Sequence, residues 1–277
     1  MDVNAKIAWY ACGVRAADAS RRKPVCGDGY ARCFMQGTHA DEVWKPFRRF
    51  RGPNAASLAR HRLIDDMLCR SLARFPELPV LVLGAGFDTR AYRLPGGHWL
   101  EVDQPSLVDY KNKLLPVDQA ANPLRRLAID VEHQPLGQLL APALEDPGWR
   151  KHRGVPMVVI EGVSVYLDPT TLGKTLALLR KLLPRHTLII DLLDHDFERR
   201  YCGPMRRAIR KLGVTMAPAL PDPATFVASL GYRQTDAESI VGRAVSLGLL
   251  PIPQWLLDGW LRPLRDGYRV LVFEAVG

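Results

Sequence analysis

The chain has 277 residues, of which 47% are hydrophobic and 24% charged, and its formal net charge is +9. This length is enough for one large domain with a sizeable core, and the composition is ordinary for a soluble protein. No apolar stretch approaches the length of a membrane span. The apolar run at residues 7–14 has no basic region before it, so we expect part of a helix there and not a signal peptide.

The cysteines indicate a reducing compartment. They are five in number, form no C-x-x-C pair, and stand at positions Cys12, Cys26, Cys33, Cys69 and Cys202. An odd, unpaired set disfavours a disulfide scaffold or a zinc knuckle. The sequence therefore predicts a cytoplasmic protein with no metal site.

Positive charge is concentrated near the beginning of the chain. Residues 1–75 contain 14 Lys or Arg and 7 Asp or Glu, which accounts for +7 of the total. The clusters at 21–23 and 45–51 are interpreted as a solvated face and a loop. Basic residues among aromatics can also hold nucleic acid, but we do not expect a nucleic-acid partner. Attraction of an acidic small substrate or an acidic partner protein remains open.

Short helices and loops are predicted for residues 4–50, and a longer helix for 55–75. Asn54 is expected to cap that longer helix and Pro76 to end it. From Pro79 onward, apolar runs alternate with helical segments. Strands are predicted at 80–83, 98–102, 126–129, 156–160, 187–193 and 269–275, with a possible short strand at 232–236. Helices are predicted at 89–94, 105–115, 135–144 and 169–183.

This alternation predicts a Rossmann-like α/β fold, with a mostly parallel seven-stranded sheet covered by helices on both faces. The rhythm breaks after the fifth strand, where proline-rich helical pieces indicate a lid-like insertion. We therefore predict one domain in four parts: an N-terminal helical cover (1–53), a ligand-binding core (54–193), the insertion (194–263) and the last strand (264–277).

The first predicted strand leads into a glycine turn. Gly84 and Gly86 let the backbone bend tightly and approach a ligand, and Asp103 follows nineteen residues after Gly84, where such folds bind a ribose. A dinucleotide fingerprint has a third glycine, but Thr89 stands there, preceded by Asp88. A carboxylate at that place disfavours a pyrophosphate and suits a cationic ligand. The pattern predicts a nucleoside site that is not built for NAD.

Acidic residues follow every one of the first five predicted strands. They are Asp88, Asp103, Asp130, Glu161 and the carboxylates within 191–196. Ligands of open α/β sheets bind beyond these strand ends. Five acidic ends favour a ligand rich in hydroxyl and amine donors.

These stretches together resemble the leucine carboxyl methyltransferase family, within the class I S-adenosylmethionine-dependent methyltransferases. The resemblance is carried by Leu83-Gly84-Ala85-Gly86-Phe87-Asp88-Thr89-Arg90, by Glu101-Val102-Asp103-Gln104-Pro105, by Ile129-Asp130-Val131, and by Ile160-Glu161-Gly162-Val163-Ser164-Val165-Tyr166-Leu167. It covers residues 54–183 and, more loosely, the rest of the chain to its end. It implies S-adenosyl-L-methionine as cofactor and S-adenosyl-L-homocysteine as product.

The resemblance also implies roles for individual residues. Arg60 would pair with the cofactor's carboxylate, with Arg62 as a rival, because a guanidinium donates a planar fork to two oxygens. Asp103 would accept both ribose hydroxyls, and Asp130 the adenine amino group. The implied cofactor contacts are Arg60, Gly84, Ala85, Gly86, Asp88, Asp103, Gln104, Asp130, Val131, Glu161 and Gly162. Of these, Val131 would pack on the adenine and Glu161 would lie beside the ammonium group.

The family methylates carboxylates, so the expected reaction is ester formation on a small natural-product or polyketide-type acid. Features for a protein partner are not recognisable, which disfavours a protein C-terminus as acceptor. O-methylation of a phenol stays open, as does a non-catalytic binding protein. An NAD-linked oxidoreductase is disfavoured by the missing glycine. The sequence leaves the oligomeric state open.

A carboxylate acceptor, with a pKa of about 4, is ionised at neutral pH and needs no general base. Tyr166 and His195 are the candidate catalytic residues. The resemblance implies that Tyr166 lies close to the acceptor, although a core role is more typical. His195 is the one histidine at a strand end facing the expected site, and as a lone histidine it is more typical of a structural residue. Arg15 and Arg32 are candidates to hold an acidic acceptor. Residues 1–53 and 194–263 are expected to form the acceptor pocket and its cover, so removal of 1–30 should spare cofactor binding and abolish methyl transfer.

Overall fold

The computed structural model describes residues 5–131, 133–150 and 154–276. The strands are β1 (Pro79–Leu83), β2 (His98–Asp103), β3 (Leu124–Ala128), β4 (Met157–Ile160), β5 (Thr187–Leu193), β6 (Tyr232–Ser239) and β7 (Tyr268–Ala275). The helices before β4 are α1 (Ala5–Asp18), α2 (Ala31–Phe34), α3 (Thr38–Trp44), α4 (Arg51–Arg74), α5 (Arg90–Arg93), α6 (Pro105–Leu114), α7 (Leu136–Leu144) and α8 (Pro147–Arg150). Those after β4 are α9 (Pro169–Leu182), α10 (His195–Tyr201), α11 (Gly203–Lys211), α12 (Pro223–Ser229), α13 (Ile240–Ser246), α14 (Gln254–Asp258) and α15 (Arg262–Asp266).

The strands form one seven-stranded sheet in the order β3-β2-β1-β4-β5-β7-β6. The pairings from β3 to β5 are parallel, and β7 runs antiparallel between β5 and β6. Strands β1 and β4 are buried at every position, as expected of Val- and Leu-rich strands with helices on both faces. The order reverses between β1 and β4, so the ends of these two strands open the crevice in which ligands of such sheets bind.

The predicted fold class and all six firmly predicted strands are confirmed. The seventh, predicted as a possible short strand at 232–236, extends to Ser239 and forms the edge of the main sheet. The segment 194–263 therefore contributes an edge strand to the main sheet, in addition to the helices that were predicted as a lid. Most side chains of β6 are exposed, and this polarity weakened its strand pattern in the sequence.

The predicted cap of the long helix is wrong. Helix α4 begins at Arg51, with Phe50 at its N-cap position, and Asn54 lies inside the first turn. The Asn54 side chain donates from Nδ2 to the carbonyl of Phe47 at 3.0 Å, so it ties the preceding turn to the helix. Pro53 is tolerated this early because the first N–H groups of a helix have no intrahelical partner.

Two apolar clusters lie on opposite faces of the sheet. One packs α4 and α13 against β1, and Trp9 and Cys12 of α1 are buried in it. The other packs α7 and α9 against the opposite face. The N-terminal helix is thus part of the core, in addition to bordering the cavity described below.

In the parts of the chain that the structure describes, none of the helices has the length and apolar character to cross a bilayer. All five cysteines have free thiols.

Candidate active site

A cavity of about 770 Å³ opens at the carboxyl ends of the parallel strands. That size is within the range of small-molecule sites. One side, here called the cofactor half, is lined by residues 82–88, 103–104, 129–131 and 160–163 together with Arg60 and His61. The other side, the acceptor half, is lined by side chains from α1, α10 and α11 and from residues 214–216, with Tyr166 beside them. Four residues further along the chain also line it: Val241, Leu250, Ile252 and Leu264.

The glycine turn after β1 forms the floor of the cofactor half. Gly84 has a φ of +66° and Gly86 one of +48°, a region that side chains disfavour. A Cβ atom on Gly84 would lie 2.3 Å from Cγ2 of Val163, so the backbone there is in close contact with the β4 loop. Both glycines and Ala85 line the cavity, as predicted for a backbone that a ligand approaches closely.

Asp103 lies at the end of β2, next to this turn. Its Oδ2 atom accepts the Gly86 N–H at 2.6 Å, and its Oδ1 atom accepts the Gln104 N–H at 2.7 Å. Burial raises the pKa of Asp103, and these two backbone donors oppose that rise. The carboxylate is therefore fixed in orientation and faces the cavity with its remaining acceptor capacity, as a ribose ligand would need.

Asp130 and Val131, after β3, also line the cavity. The Oδ2 atom of Asp130 is 3.0 Å from Nδ1 of His133, an exposed side chain. The two residues are adjacent to the Asp103 corner because β2 and β3 are parallel neighbours. A hydrogen-bond acceptor and an apolar side chain therefore lie together at this corner of the cavity.

Arg60, on α4, lines the opposite end of the cofactor half. Its Nε atom donates to Glu161 at 3.2 Å, and its Nη1 atom donates to Asp191 at 3.2 Å and to the Tyr268 hydroxyl at 2.6 Å. Among the described residues, none accepts a hydrogen bond from Nη2, which is left available to a ligand. The rival Arg62 pairs with Asp66 at 2.8 Å and does not line the cavity.

Glu161, after β4, faces the cavity beside Arg60. Burial alone would raise the pKa of this carboxyl, but Arg90, His61 and Arg60 outweigh burial and hold it well below its usual range. Gly162, next to it, has a φ of +69° and donates its N–H to Asp191 at 2.6 Å. The carboxylate is thus ionised and held in place.

Sequence reasoning missed the buried cation behind these carboxylates. Arg90 has no exposed surface, and its guanidinium pairs with Asp65, Asp88 and Glu161 at 2.5–2.7 Å. Asp88, predicted to face a cationic ligand, lines the cavity and is paired with Arg90. Arg90 was part of the matching motif, yet no pattern in the sequence indicates which carboxylates a buried arginine will meet.

Three tyrosines, Tyr10 of α1, Tyr166 of the β4 loop and Tyr201 of α10, border the acceptor half. Burial raises the pKa of Tyr10 and of Tyr166. None of the three hydroxyls makes a hydrogen bond within the described residues. Tyr10 was missed because a helix that packs one face in the core gives no signal for a cavity-facing hydroxyl.

His195 does not face the site. It is the first residue of α10, is exposed, and is not among the residues lining the cavity. The strand end was located correctly, but Asp194 caps α10 through the Phe197 N–H at 2.7 Å, and the helix starts with His195 turned to solvent. The expectation that His195 could act on a bound ligand is wrong.

The two candidate arginines of the N-terminal segment differ. Arg32 is exposed and donates to the Ala19 carbonyl at 2.6 Å, outside the cavity. Arg15 lines the cavity, but its guanidinium is engaged with Asp28 at 2.9 Å and the Phe87 carbonyl at 2.6 Å. Arg15 therefore ties α1 to the glycine turn, and we now expect removal of residues 1–30 to disturb cofactor binding.

Within residues 5–131, 133–150 and 154–276, no group of three or more His, Cys, Asp or Glu side chains could hold a metal ion.

Comparison with known proteins identifies the family of this chain. The model of the leucine carboxyl methyltransferase family matches residues 8–180. A relative from Frankia alni, whose name places it among the S-adenosyl-L-methionine-dependent methyltransferases, is 31% identical over 169 residues, covering 58% of this chain and 57% of its own length. A similarly named relative from Mycobacterium tuberculosis is 29% identical over 187 residues, with coverages of 59% and 57%. The match thus spans a little over half the length of these relatives.

Solved structures agree on the fold. A protein of the family of unknown function 574 from Streptomyces avermitilis has a TM-score of 0.58 at 14% identity, with 89% of this chain and 95% of that chain covered. Magnesium protoporphyrin IX methyltransferase from Synechocystis, with bound S-adenosylhomocysteine, has a TM-score of 0.50 at 13% identity, with coverages of 95% and 98%.

The chain belongs to the leucine carboxyl methyltransferase family, and its fold is the Rossmann-like fold of class I methyltransferases. The names of the relatives give S-adenosyl-L-methionine as their cofactor. The residues present fit that group. The glycine turn leaves room for close approach, and the fixed carboxylate of Asp103 suits a ribose. Arg60, whose Nη2 has no acceptor among the described residues, and the neighbouring Glu161 suit the carboxylate and the ammonium group of an amino acid.

Proposed function

We propose that this protein is an O-methyltransferase that converts a carboxylate of an apolar small-molecule acid, of the natural-product type, into its methyl ester. The observation that carries this proposal is the absence of an available general base among the described residues that line the cavity. The unpaired cysteines suit a cytoplasmic setting for it.

His61 is the one histidine among the described cavity-lining residues. Its ring is buried, with Nε2 2.6 Å from Arg93 Nη2 and Nδ1 3.2 Å from the Glu161 carboxylate. Burial, together with the neighbouring Arg90, lowers the pKa of His61. Both ring nitrogens are thus occupied, and His61 cannot take a proton from an acceptor. A carboxylate is ionised at neutral pH and needs no such transfer, whereas a phenol with a pKa of about 10 does.

The composition of the acceptor half supports an apolar acid. Its wall is mainly aliphatic and aromatic, with members such as Met205, Ile209, Leu250, Ile252 and Leu264. The carboxylates that line the cavity lie in the cofactor half. An anionic acceptor bound in the acceptor half would therefore not lie against them. An apolar wall also excludes water, which strengthens interactions with a bound charge.

Tyr10 and Tyr166 are the proposed contacts for the acceptor's carboxylate. Their raised pKa values keep both phenols protonated at physiological pH, so each can donate an O–H hydrogen bond and neither can serve as a base. Hydrogen bonds to an ionised acceptor are short and strong, and two donors would also orient it. Tyr166 is thus proposed to orient the acceptor.

The bound cofactor supplies an activated methyl group on a sulfonium. The protein's own contribution is to align the acceptor oxygen with that methyl, to bring the two close, and to exclude water. Asp103 and the glycine turn would fix the nucleoside end, and Arg60 with Glu161 the amino-acid end. The tyrosines would hold the acceptor from the other side.

The test is methyl transfer from methyl-labelled S-adenosylmethionine to a panel of apolar carboxylic acids and their phenol counterparts. We expect label in an organic product that mild alkaline treatment releases as methanol, because an ester hydrolyses and an aryl ether does not. The Asp103→Ala variant is the control for enzyme-dependent transfer. Label that survives alkaline treatment would refute the carboxylate proposal and point to a phenolic acceptor.

A further inference from the structure

Arg90 lies directly behind the cofactor half, and its side chain is completely buried. Its Nε atom pairs with Asp65 at 2.6 Å, its Nη1 atom with Asp88 at 2.5 Å, and its Nη2 atom with Glu161 at 2.7 Å. Each nitrogen of the guanidinium therefore serves a different carboxylate. Such a division of donors is available to arginine and not to lysine, which has a single nitrogen.

Two of the three carboxylates that pair with Arg90 line the cavity, and the third does not. Asp88 and Glu161 line the cofactor half, whereas Arg90 and Asp65 do not. Asp88 belongs to the loop after β1 and Glu161 to the loop after β4, so one guanidinium joins the two strand ends at which the sheet order reverses.

We propose that Arg90 is a positioning residue for the cofactor: it acts through Asp88 and Glu161, holding both carboxylates ionised and at a fixed separation at the amino-acid end of the site. The proposal rests on the family's cofactor and not on the carboxylate acceptor.

Other cationic and titratable groups also face Glu161, in addition to Arg90. Arg60 donates to its Oε1 atom from α4 at 3.2 Å, and His61 lies 3.2 Å from both oxygens. Arg93 Nη2 lies 2.6 Å from Nε2 of His61 and Arg90 Nη2 lies 2.9 Å from its Nδ1, and burial together with Arg90 lowers the pKa of His61. Of the groups around Glu161, Arg90 makes the shortest charged contact, at 2.7 Å.

Two further carboxylates and one phenol lie nearby. From α4, Asp65 contacts the same Arg90. Asp191, on β5, shares Arg60 with Glu161. Tyr268, on β7, is hydrogen-bonded to both Arg60 and Asp191.

Removal of the Arg90 charge should make Glu161 titrate. Burial acts to raise the pKa of this carboxyl, and the nearest opposing cation is Arg90. Without Arg90, burial and the negative charge of Asp88 favour the protonated acid. A protonated Glu161 no longer attracts an ammonium group, so cofactor affinity becomes dependent on pH and falls as the pH is lowered.

The experiment measures S-adenosylmethionine affinity by calorimetry from about pH 5 to 9, without any acceptor, for the wild type, Arg90→Gln and Arg90→Lys. Arg126→Gln is the matched control. Arg126 is a buried arginine that pairs with Glu101 at 2.8 Å, and neither residue lines the cavity. Thermal unfolding of each variant is recorded in parallel.

For the wild type, we expect affinity that is flat with pH on the acid side, below the range in which the cofactor's own α-amino group loses its proton, at about pH 8. Arg90→Gln should bind more weakly at every pH, with a further loss of about tenfold per pH unit on the acid side, because binding then requires a deprotonated Glu161. Arg90→Lys keeps the charge but cannot serve both loops, so it should recover only part of the affinity. Arg126→Gln should lose stability while its affinity stays flat.

Three results would overturn the proposal. Affinity of Arg90→Gln that is as flat as that of Arg126→Gln would make Arg90 merely structural. Full recovery by Arg90→Lys would show that charge alone matters, without the bridge. An acid-side loss in the wild type itself would show that Glu161 is not held ionised, and this measurement remains decisive if Arg90→Gln does not fold. None of these results bears on the acceptor, and failure of wild-type binding altogether would instead count against the proposed function.

Discussion

The two halves of the cavity are built in different ways. The cofactor half consists of strand ends and a glycine turn, and its charged side chains are tied to one another or to backbone N–H groups. The acceptor half consists mainly of helices outside the alternating core, and its side chains are mostly apolar, with three phenols (Tyr10, Tyr166 and Tyr201) that have no hydrogen-bond partner among the described residues.

This difference separates binding from specificity. The sheet fixes the backbone of the cofactor half, so its groups are preorganised for one ligand. The helices of the acceptor half are joined by loops and can vary in sequence without changing the sheet, which is where specificity usually lies in such folds. Changes in the first half should therefore reach the cofactor, and changes in the second half only the acceptor.

The largest effect is expected for Gly84→Val. A Cβ atom there would lie 2.3 Å from Val163, and a β-branched residue is strained at a φ of +66°. We expect S-adenosylmethionine affinity to fall about a hundredfold or more, because backbone strain of about 1–3 kcal/mol and the displacement of Val163 together distort the turn that the ligand approaches. Calorimetry on folded protein checks this, with Gly29→Val as control because no atom lies within 4 Å of a Cβ at Gly29. Near-normal binding by Gly84→Val would contradict the close-approach role.

The next largest effect is expected for Asp103→Ala. It removes charge-assisted hydrogen bonds to the ribose, each worth about 1.5–3 kcal/mol, and also releases the Gly86 N–H. Cofactor affinity should fall by at least about tenfold per lost bond. If affinity stays within about twofold of wild type while the fold is intact, the ribose assignment to Asp103 is wrong.

In the acceptor half, Ile252→Asn should raise the KM for an apolar acid about tenfold and leave cofactor affinity unchanged, because only the apolar wall is altered. Steady-state kinetics with saturating cofactor measure the first quantity and calorimetry the second. Leu139→Asn, an exposed aliphatic residue of α7 outside the cavity, is the control. Equal losses in acceptor and cofactor binding would contradict the separate roles of the two halves of the cavity.

The smallest effect is expected for His195→Ala. This side chain is exposed and outside the cavity, so the rate should stay within about twofold of wild type. With an acceptor already ionised and no obligatory base, the rate should be flat from about pH 6 to 9. A steep rise near pH 8 together with a large loss in His195→Ala would instead indicate a phenolic acceptor.

The cofactor half was largely predictable from sequence, because local patterns specify it. Its features are recognisable in the sequence as residue types at fixed spacing. They are a buried strand, the two glycines with positive φ, Gly84 and Gly86, and the acidic Asp103 at the end of the next strand. Strand ends of a parallel sheet meet at one edge, so Asp130 and Glu161 could be placed beside them.

The rest could not be read from local patterns. Arg90, Tyr10 and Tyr268 reach the site through contacts between distant elements. His195 stood at the right strand end, but its direction depended on how α10 starts. The cap at Asn54 failed because Phe47, not the helix, was the partner of that side chain.

The most direct test of the cofactor site is a titration of the wild-type protein with S-adenosylmethionine, S-adenosylhomocysteine and NAD, without acceptor and alongside Asp103→Ala. We predict saturable binding of the first two ligands, strongly weakened in Asp103→Ala, and no binding of NAD, because Asp88 and Thr89 stand where a dinucleotide site has room for a pyrophosphate. Tight binding of NAD alone, or S-adenosylmethionine binding that is indifferent to the loss of Asp103, would contradict this prediction.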